Sequence, residues 1–252
     1  MRIDNARELA LKCLYKIEKE EAYSNIVLDK ILEKNRDRLN DKDIGLISEI
    51  VYGVVTWKLT IDYIIQKYSK IKLKKISDWI INILRIGVYQ IIFLDKVPKS
   101  AAVNECVILA KKYGIKSTSF VNAILRKVNN SDLEELKNIE DEKKRISITT
   151  SMPLWIVEEL LKQHEADRVE EICKASNLRP DITIRINKLK ISKEMFIDKL
   201  NKLGIEYEEC ELENFLRLKK IKNISNLKIF KEGYFTVQDE SARIACYCIS
   251  TE

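Results

Sequence analysis

Ser77–Leu94 reads S-D-W-I-I-N-I-L-R-I-G-V-Y-Q-I-I-F-L. Trp79, Ile80, Ile81, Ile83, Leu84, Ile86, Val88, Tyr89, Ile91 and Ile92 leave almost no polar face on a helix built from it. A helix apolar all round belongs at the centre of a bundle. Its interruptions, Asn82, Arg85 and Gln90, count against a membrane span, which needs about 20 apolar residues. Arg85 either meets an internal carboxylate or reaches a groove, and an internal salt bridge is the plainer expectation.

The flanking sequence supplies the rest of such a bundle. Ala6, Leu9, Ala10, Cys13, Leu14 and Ile17 recur at helical spacing. Ser24 is placed to cap a second helix that turns Val27, Leu28, Ile31 and Leu32 inward. Asn40 opens a third, with Asp43 three residues on as a capping box. Pro98 precedes a helix striped with Ala102, Val103, Cys106, Val107 and Ala110, and Gly114 ends it. Ser117 or Ser119 starts a last helix carrying Phe120, Val121, Ile124, Leu125 and Val128. The fold class is therefore mainly α: an all-α helical bundle over 1–130. The charged stretch 131–145 breaks the pattern and is expected as a linker.

A small α+β domain is expected after it, over 146–236. Pro153 sits at a helix start, and Asp167–Ser176 suits a second short helix. Asp181–Asn187, D-I-T-I-R-I-N, alternates with the period of a strand. Met195–Leu203 reads as a helix ending at Gly204, and Phe215–Leu218 and Tyr234–Val237 as strands. Helices on one side of an antiparallel sheet are the expected arrangement.

The 252 residues carry a net charge of +6, unevenly spread. Residues 1–130 hold 24 Lys and Arg against 15 Asp and Glu; the remainder hold 21 against 24. A basic first half favours an anionic partner, most simply nucleic acid. Lysines on solvated helix faces are the competing explanation. The candidate contacts are Lys99, Lys111, Lys112, Asn122, Arg126 and Lys127, with Lys70, Lys72, Lys74 and Lys75 crowding the loop before the central helix. Arg and Lys neutralise phosphates, while Asn and Arg also bond base edges and sugar hydroxyls.

Little else points to catalysis. The lone His164 has no ligand cluster around it, so a surface histidine is expected and no metal. The six glycines never fall in a G-x-G, which excludes a glycine-rich phosphate cradle. The six cysteines form no C-x-x-C and read as reduced thiols, which with no apolar leader suits the cytoplasm. Cys246 and Cys248 have no neighbouring base.

Particular motifs narrow this further. Val97–Val128 contains A-A-V-N-E, A-K-K-Y-G and F-V-N-A-I-L-R in order. A-R-E-L-A-L-K-C-L-Y-K-I stands near the start, with A-Y-S-N at Ala22–Asn25 and V-Y-G-V at Val51–Val54. Together these resemble the NusB-like domain of bacterial ribosomal RNA cytosine-C5 methyltransferases. M-P-L-W at Met152–Trp155, I-R-I-N at Ile184–Asn187 and E-G-Y-F-T-V-Q-D-E-S-A at Glu232–Ala242 resemble the small RNA-contacting domain of the same enzymes and the entry to their catalytic domain. The B type, or Sun/Fmu family, is the nearest in pattern. The resemblance implies small-subunit ribosomal RNA as partner, with Arg185 and Asn187 as further contacts, no membrane, and a monomer. It assigns 237–252 to the start of the methyltransferase domain, with that domain as intramolecular partner of a helix striped by Ala242, Ala245, Cys246 and Ile249. The family's Asp-x-Cys-x-x-Pro-Gly-Gly-Lys loop for S-adenosylmethionine, and its Pro-Cys and Thr-Cys-Ser catalytic contexts, are not in this chain. The resemblance thus implies a substrate-recognition region that binds no cofactor and transfers no methyl group alone. A stand-alone NusB-like adaptor in transcription antitermination or ribosome assembly is the alternative.

Overall fold

The computed structural model describes residues 5–178, 181–219, 221 and 224–249. They fall into two compact units, Met1–Asn177 and Leu178–Glu252.

The first unit is helical. Its elements are α1 (Asn5–Glu20), α2 (Ser24–Lys34), α3 (Asp41–Thr56), α4 (Lys58–Tyr68), α5 (Asp78–Phe93), α6 (Lys99–Tyr113) and α7 (Thr118–Lys127), followed by α8 (Ser131–Leu136), α9 (Glu142–Thr149), α10 (Leu154–Leu160) and α11 (Ala166–Ser176). α5 is the axis and packs against α1, α3, α4, α6 and α7. Ile83, Leu84, Ile86 and Val88 are fully buried, as the all-round apolar sequence requires. Gly53 lets α3 approach closely: a Cβ there would stand 1.9 Å from the Tyr89 ring. Asn40 forms the expected capping box with Asp43. Ser24 does not cap α2; it is the first helical residue, and Tyr23 precedes it with no side-chain cap.

Arg85 takes the salt-bridge reading. Its guanidinium clasps Asp62 through Nε (2.7 Å) and Nη2 (2.8 Å), and Nη1 donates to Glu18 at 2.8 Å. Asn82 and Lys58 also donate to Glu18, each at 2.9 Å. Burial opposes ionisation of Glu18, but Arg85, Lys58 and Asn82 outweigh it and hold the carboxyl at about 2.

The stretch 131–145 is not an extended linker. It contains α8 and the start of α9, both within the first unit. Buried Asp132 explains this. It accepts from Lys67 Nζ (2.8 Å), Tyr68 Oη (2.6 Å) and the Asn129 amide (2.9 Å), which ties α8 to α4. α9, α10 and α11 close their own small core around Ile146, Val157, Val169 and Cys173.

The second unit contains β1 (Ile182–Ile186), α12 (Lys193–Lys202), β2 (Tyr207–Glu209), β3 (Phe215–Leu218), α13 (Lys228–Lys231), β4 (Phe235–Val237) and α14 (Glu240–Ile249). The antiparallel sheet has the order β2-β3-β1-β4. Ile184 and Ile186 of β1, with Leu216 and Leu218 of β3, face Phe196 and Leu200 of α12. Helices cover this face of the sheet, as expected. Gly204 supplies the left-handed turn (φ +65°) after α12. On α14, Ala242, Ala245 and Cys246 are exposed, and the side chain of Ile249 lies outside the described residues. Among the described residues, no single helix is long and apolar enough to cross a membrane.

Candidate nucleic-acid interface

The expected contacts of the first unit divide between the two ends of α6. Lys99 stands at its start; Lys111 and Lys112 lie in its last turn, about 18 Å further along.

At the first end, Lys99 Nζ donates to the Arg126 carbonyl at 2.9 Å, joining the start of α6 to the end of α7. Arg126 and Lys127 are exposed in the last turn of α7, where the helix dipole favours cations. Their side chains make no hydrogen bond or ion pair among the described residues. Asn122, half-buried, lies one turn earlier on the Arg126 face and is likewise uncommitted. Asn122, Arg126 and Lys127 therefore offer free donors on a rigid helix.

At the second end Lys111 is exposed, but Lys112 is committed. Its Nζ donates to Glu8 Oε1 at 2.7 Å, and Tyr113 Oη donates to the same oxygen at 2.7 Å. Burial resists charge on Glu8, yet Lys112, Lys12 and Tyr113 hold its carboxyl at about 2. Burial raises the Tyr113 hydroxyl, and the Glu8 carboxylate raises it further.

A feature absent from the sequence expectations adjoins this end. Trp79 lies between two tyrosines, with its ring centroid 3.9 Å from Tyr15 and 4.4 Å from Tyr113. All three rings are half-buried. The ladder joins α1, α5 and α6 from positions 64 and 34 residues apart in sequence, so no local pattern announces it. Exposed Lys72, Lys74 and Lys75 lie in the loop that leads into α5 just ahead of Trp79. The tyrosines occupy the faces of Trp79, so the ladder packs α1, α5 and α6 together.

In the second unit, Arg185 points from β1 away from the helix-covered face, paired across the sheet with Thr236 and Phe215. It is exposed, with no side-chain partner among the described residues. Asn187 is engaged: its Nδ2 donates to the Gly233 carbonyl (3.0 Å), and its Oδ1 accepts from the Leu189 amide (3.2 Å). It braces a turn at the end of β1.

His164 is exposed, and among the described residues no group of three His, Cys, Asp or Glu could hold a metal. Cys13, Cys106 and Cys173 are buried and free.

Comparison with known proteins divides the chain differently, because the second match begins inside the first compact unit, and the expected α+β domain over 146–236 likewise gives its helices up to Ser176 to that unit. Residues 4–130 match the NusB family, and residues 152–225 match the Methyltr_RsmF/B-like, ferredoxin-like domain. The chain is 34% identical over 246 residues to "Probable ribosomal RNA small subunit methyltransferase B" of Bacillus subtilis (strain 168), covering 97% of this chain and 54% of that relative. It is 35% identical over 243 residues to the protein of the same name in Synechocystis sp., with 95% and 54% covered. The chain thus spans about half the length of these curated relatives. A solved structure, "Crystal Structure of PH0851", superimposes with a TM-score of 0.66 at 19% identity over 100% of this chain, and shares the fold. This chain belongs to the NusB family through residues 4–130, and carries the ferredoxin-like domain of the RsmF/B-like methyltransferases behind it.

Proposed function

We propose that this chain is the RNA-holding, substrate-recognition region of a small-subunit ribosomal RNA cytosine-C5 methyltransferase of the B type. One observation carries the reading: the NusB family match and the methyltransferase ferredoxin-like match stand in one chain, 97% of which aligns with such a protein. A stand-alone adaptor would need only the first match. The chain positions RNA; it supplies neither the cysteine nucleophiles nor the donor site of the reaction. Four of the six glycines serve packing and turns, and none of the six falls in a glycine-rich loop that would fit S-adenosylmethionine. Gly53 and Gly87 are pressed against Tyr89 and Leu125, and Gly204 and Gly233 carry positive φ.

Binding of a single-stranded ribosomal RNA fragment tests the surface. Charge contacts give a log-log salt slope of about −0.7 per phosphate. Arg126→Glu with Lys127→Glu should weaken binding about tenfold or more and flatten the slope. Lys188→Glu with Lys190→Glu should do less, since Lys190 is held on the Glu232 carbonyl at 2.8 Å. Equal affinity for the two double variants would move the interface elsewhere.

A further inference from the structure

We propose that the cleft beside Trp155 receives an unpaired RNA base stacked on the indole. The inference rests on the RNA-holding role above and adds a site to it. Trp155 is 70% exposed on α10, a helix entered at Pro153 and anchored by fully buried Val157. An indole left this open is a large apolar surface with nothing on it. It borders a cleft of about 480 Å³ lined by Lys143, Glu158, Glu159, Leu161 and Lys162.

A polar rim around an aromatic ring suits a protein interface as well as a nucleotide, so the choice of an RNA base rests on the RNA-holding role and on the two cations beside an open stacking face. Here two lysines and two glutamates surround the ring. Lys143 stands 3.6 Å from Glu158, and Lys162 2.6 Å from Glu159, all four side chains about half exposed or more. Such solvated pairs are weak and readily exchanged. Phosphates can take the lysines, which frees the carboxylates to accept hydrogen bonds from the exocyclic amine of cytosine or adenine. Leu161, half-buried, adds an apolar contact to the cleft. Across α9, Lys144 Nζ lies 5.7 Å from the Tyr63 ring centroid, a second cation beside an aromatic.

The test titrates a cytidine-rich single-stranded RNA of about 12 nucleotides into the full chain and its variants. Trp155→Ala should weaken binding about tenfold while leaving the salt slope unchanged, because stacking releases no counterions. Trp155→Phe should stay within about threefold of the parent, because the stacking face remains. Leu154→Ala, a neighbour 45% exposed, should bind as the parent does. Parent-like binding by Trp155→Ala overturns the site and leaves the RNA role standing. An equal loss in Leu154→Ala overturns it as a helix defect. A change of oligomeric state in Trp155→Ala, read by sedimentation, reassigns the indole to a second copy of this chain. No binding by the parent overturns both readings.

Discussion

α5 and α14 are both rich in apolar residues, and they meet opposite fates. On α5, Ile80 through Gln90 are buried without a break, Arg85 included. On α14, Ala242, Ile244, Ala245, Cys246 and Cys248 are all exposed. The difference lies in what surrounds each helix. α5 is enclosed by α1, α3, α4, α6 and α7. α14 is fixed near its start, where Glu240 accepts from Arg217 at 2.9 and 2.6 Å. Apolar spacing states which face a helix would bury; burial itself needs a partner at the right place.

Each helix is held by a guanidinium–carboxylate pair, and the two pairs give the largest test of this contrast. Arg85 keeps 7% of its side chain exposed, Arg217 43%. Arg85→Ala leaves Asp62 without its cation and Glu18 with Lys58 as its remaining cation, and should cost about 3–5 kcal/mol in urea unfolding. Arg217→Ala should cost far less than Arg85→Ala, because water already screens its pair. Similar losses for the two would mean that burial does not separate them.

Acid probes the same bundle more gently. Glu18 ionises at about 2 in the folded chain against an ordinary 4.5. A depressed carboxyl contributes its full stability above the unfolded value. That contribution is lost as pH falls from about 5 toward 2, where the unfolded chain takes up the proton first. About a third of the Glu18 side chain meets water (31%), which limits the loss to about 2 kcal/mol. Urea unfolding at pH 7 and pH 3 should show part of this loss in the parent. Glu18→Gln, already weaker at pH 7, should lose about 1 kcal/mol less across the same interval, because part of the contribution survives until pH falls below about 3. Parallel losses would place the acid sensitivity in other carboxylates such as Glu8.

What could be read in advance followed local physics. The all-round apolar run of α5, the Asn40 capping box and the alternation in β1 each carry their message within a few residues. β2 does not: it has three residues, and Glu208 and Glu209 are both exposed. The stretch 131–145 looked like a linker because its charges appear solvated. Its decisive contact, Asp132 with Lys67, joins residues 65 apart. The basic candidates were visible as residues, but not their commitments. Lys112 and Asn187 are held by partners far away in sequence, while Arg126, Lys127 and Arg185 stand free. The Tyr15–Trp79–Tyr113 ladder is a property of packing alone.

The smallest expected effect is the sharpest check on the contrast between the helices. Ile86 is fully buried in α5, and Ile244 is 53% exposed on α14. Ile86→Ala removes the same atoms as Ile244→Ala, so transfer chemistry is equal and only the surroundings differ. The buried change leaves a cavity and should cost about 2–5 kcal/mol. The exposed change removes little area from a protein contact and should fall within about 0.5 kcal/mol, with alanine's helix propensity offsetting part of it. Thermal unfolding read at α14 itself, through hydrogen exchange of its amides, separates local from global loss. A cost above about 1 kcal/mol for Ile244→Ala would mean that α14 buries this side chain in solution. The helix would then have a partner in this chain or in a second copy, and its exposure would no longer set it apart from α5.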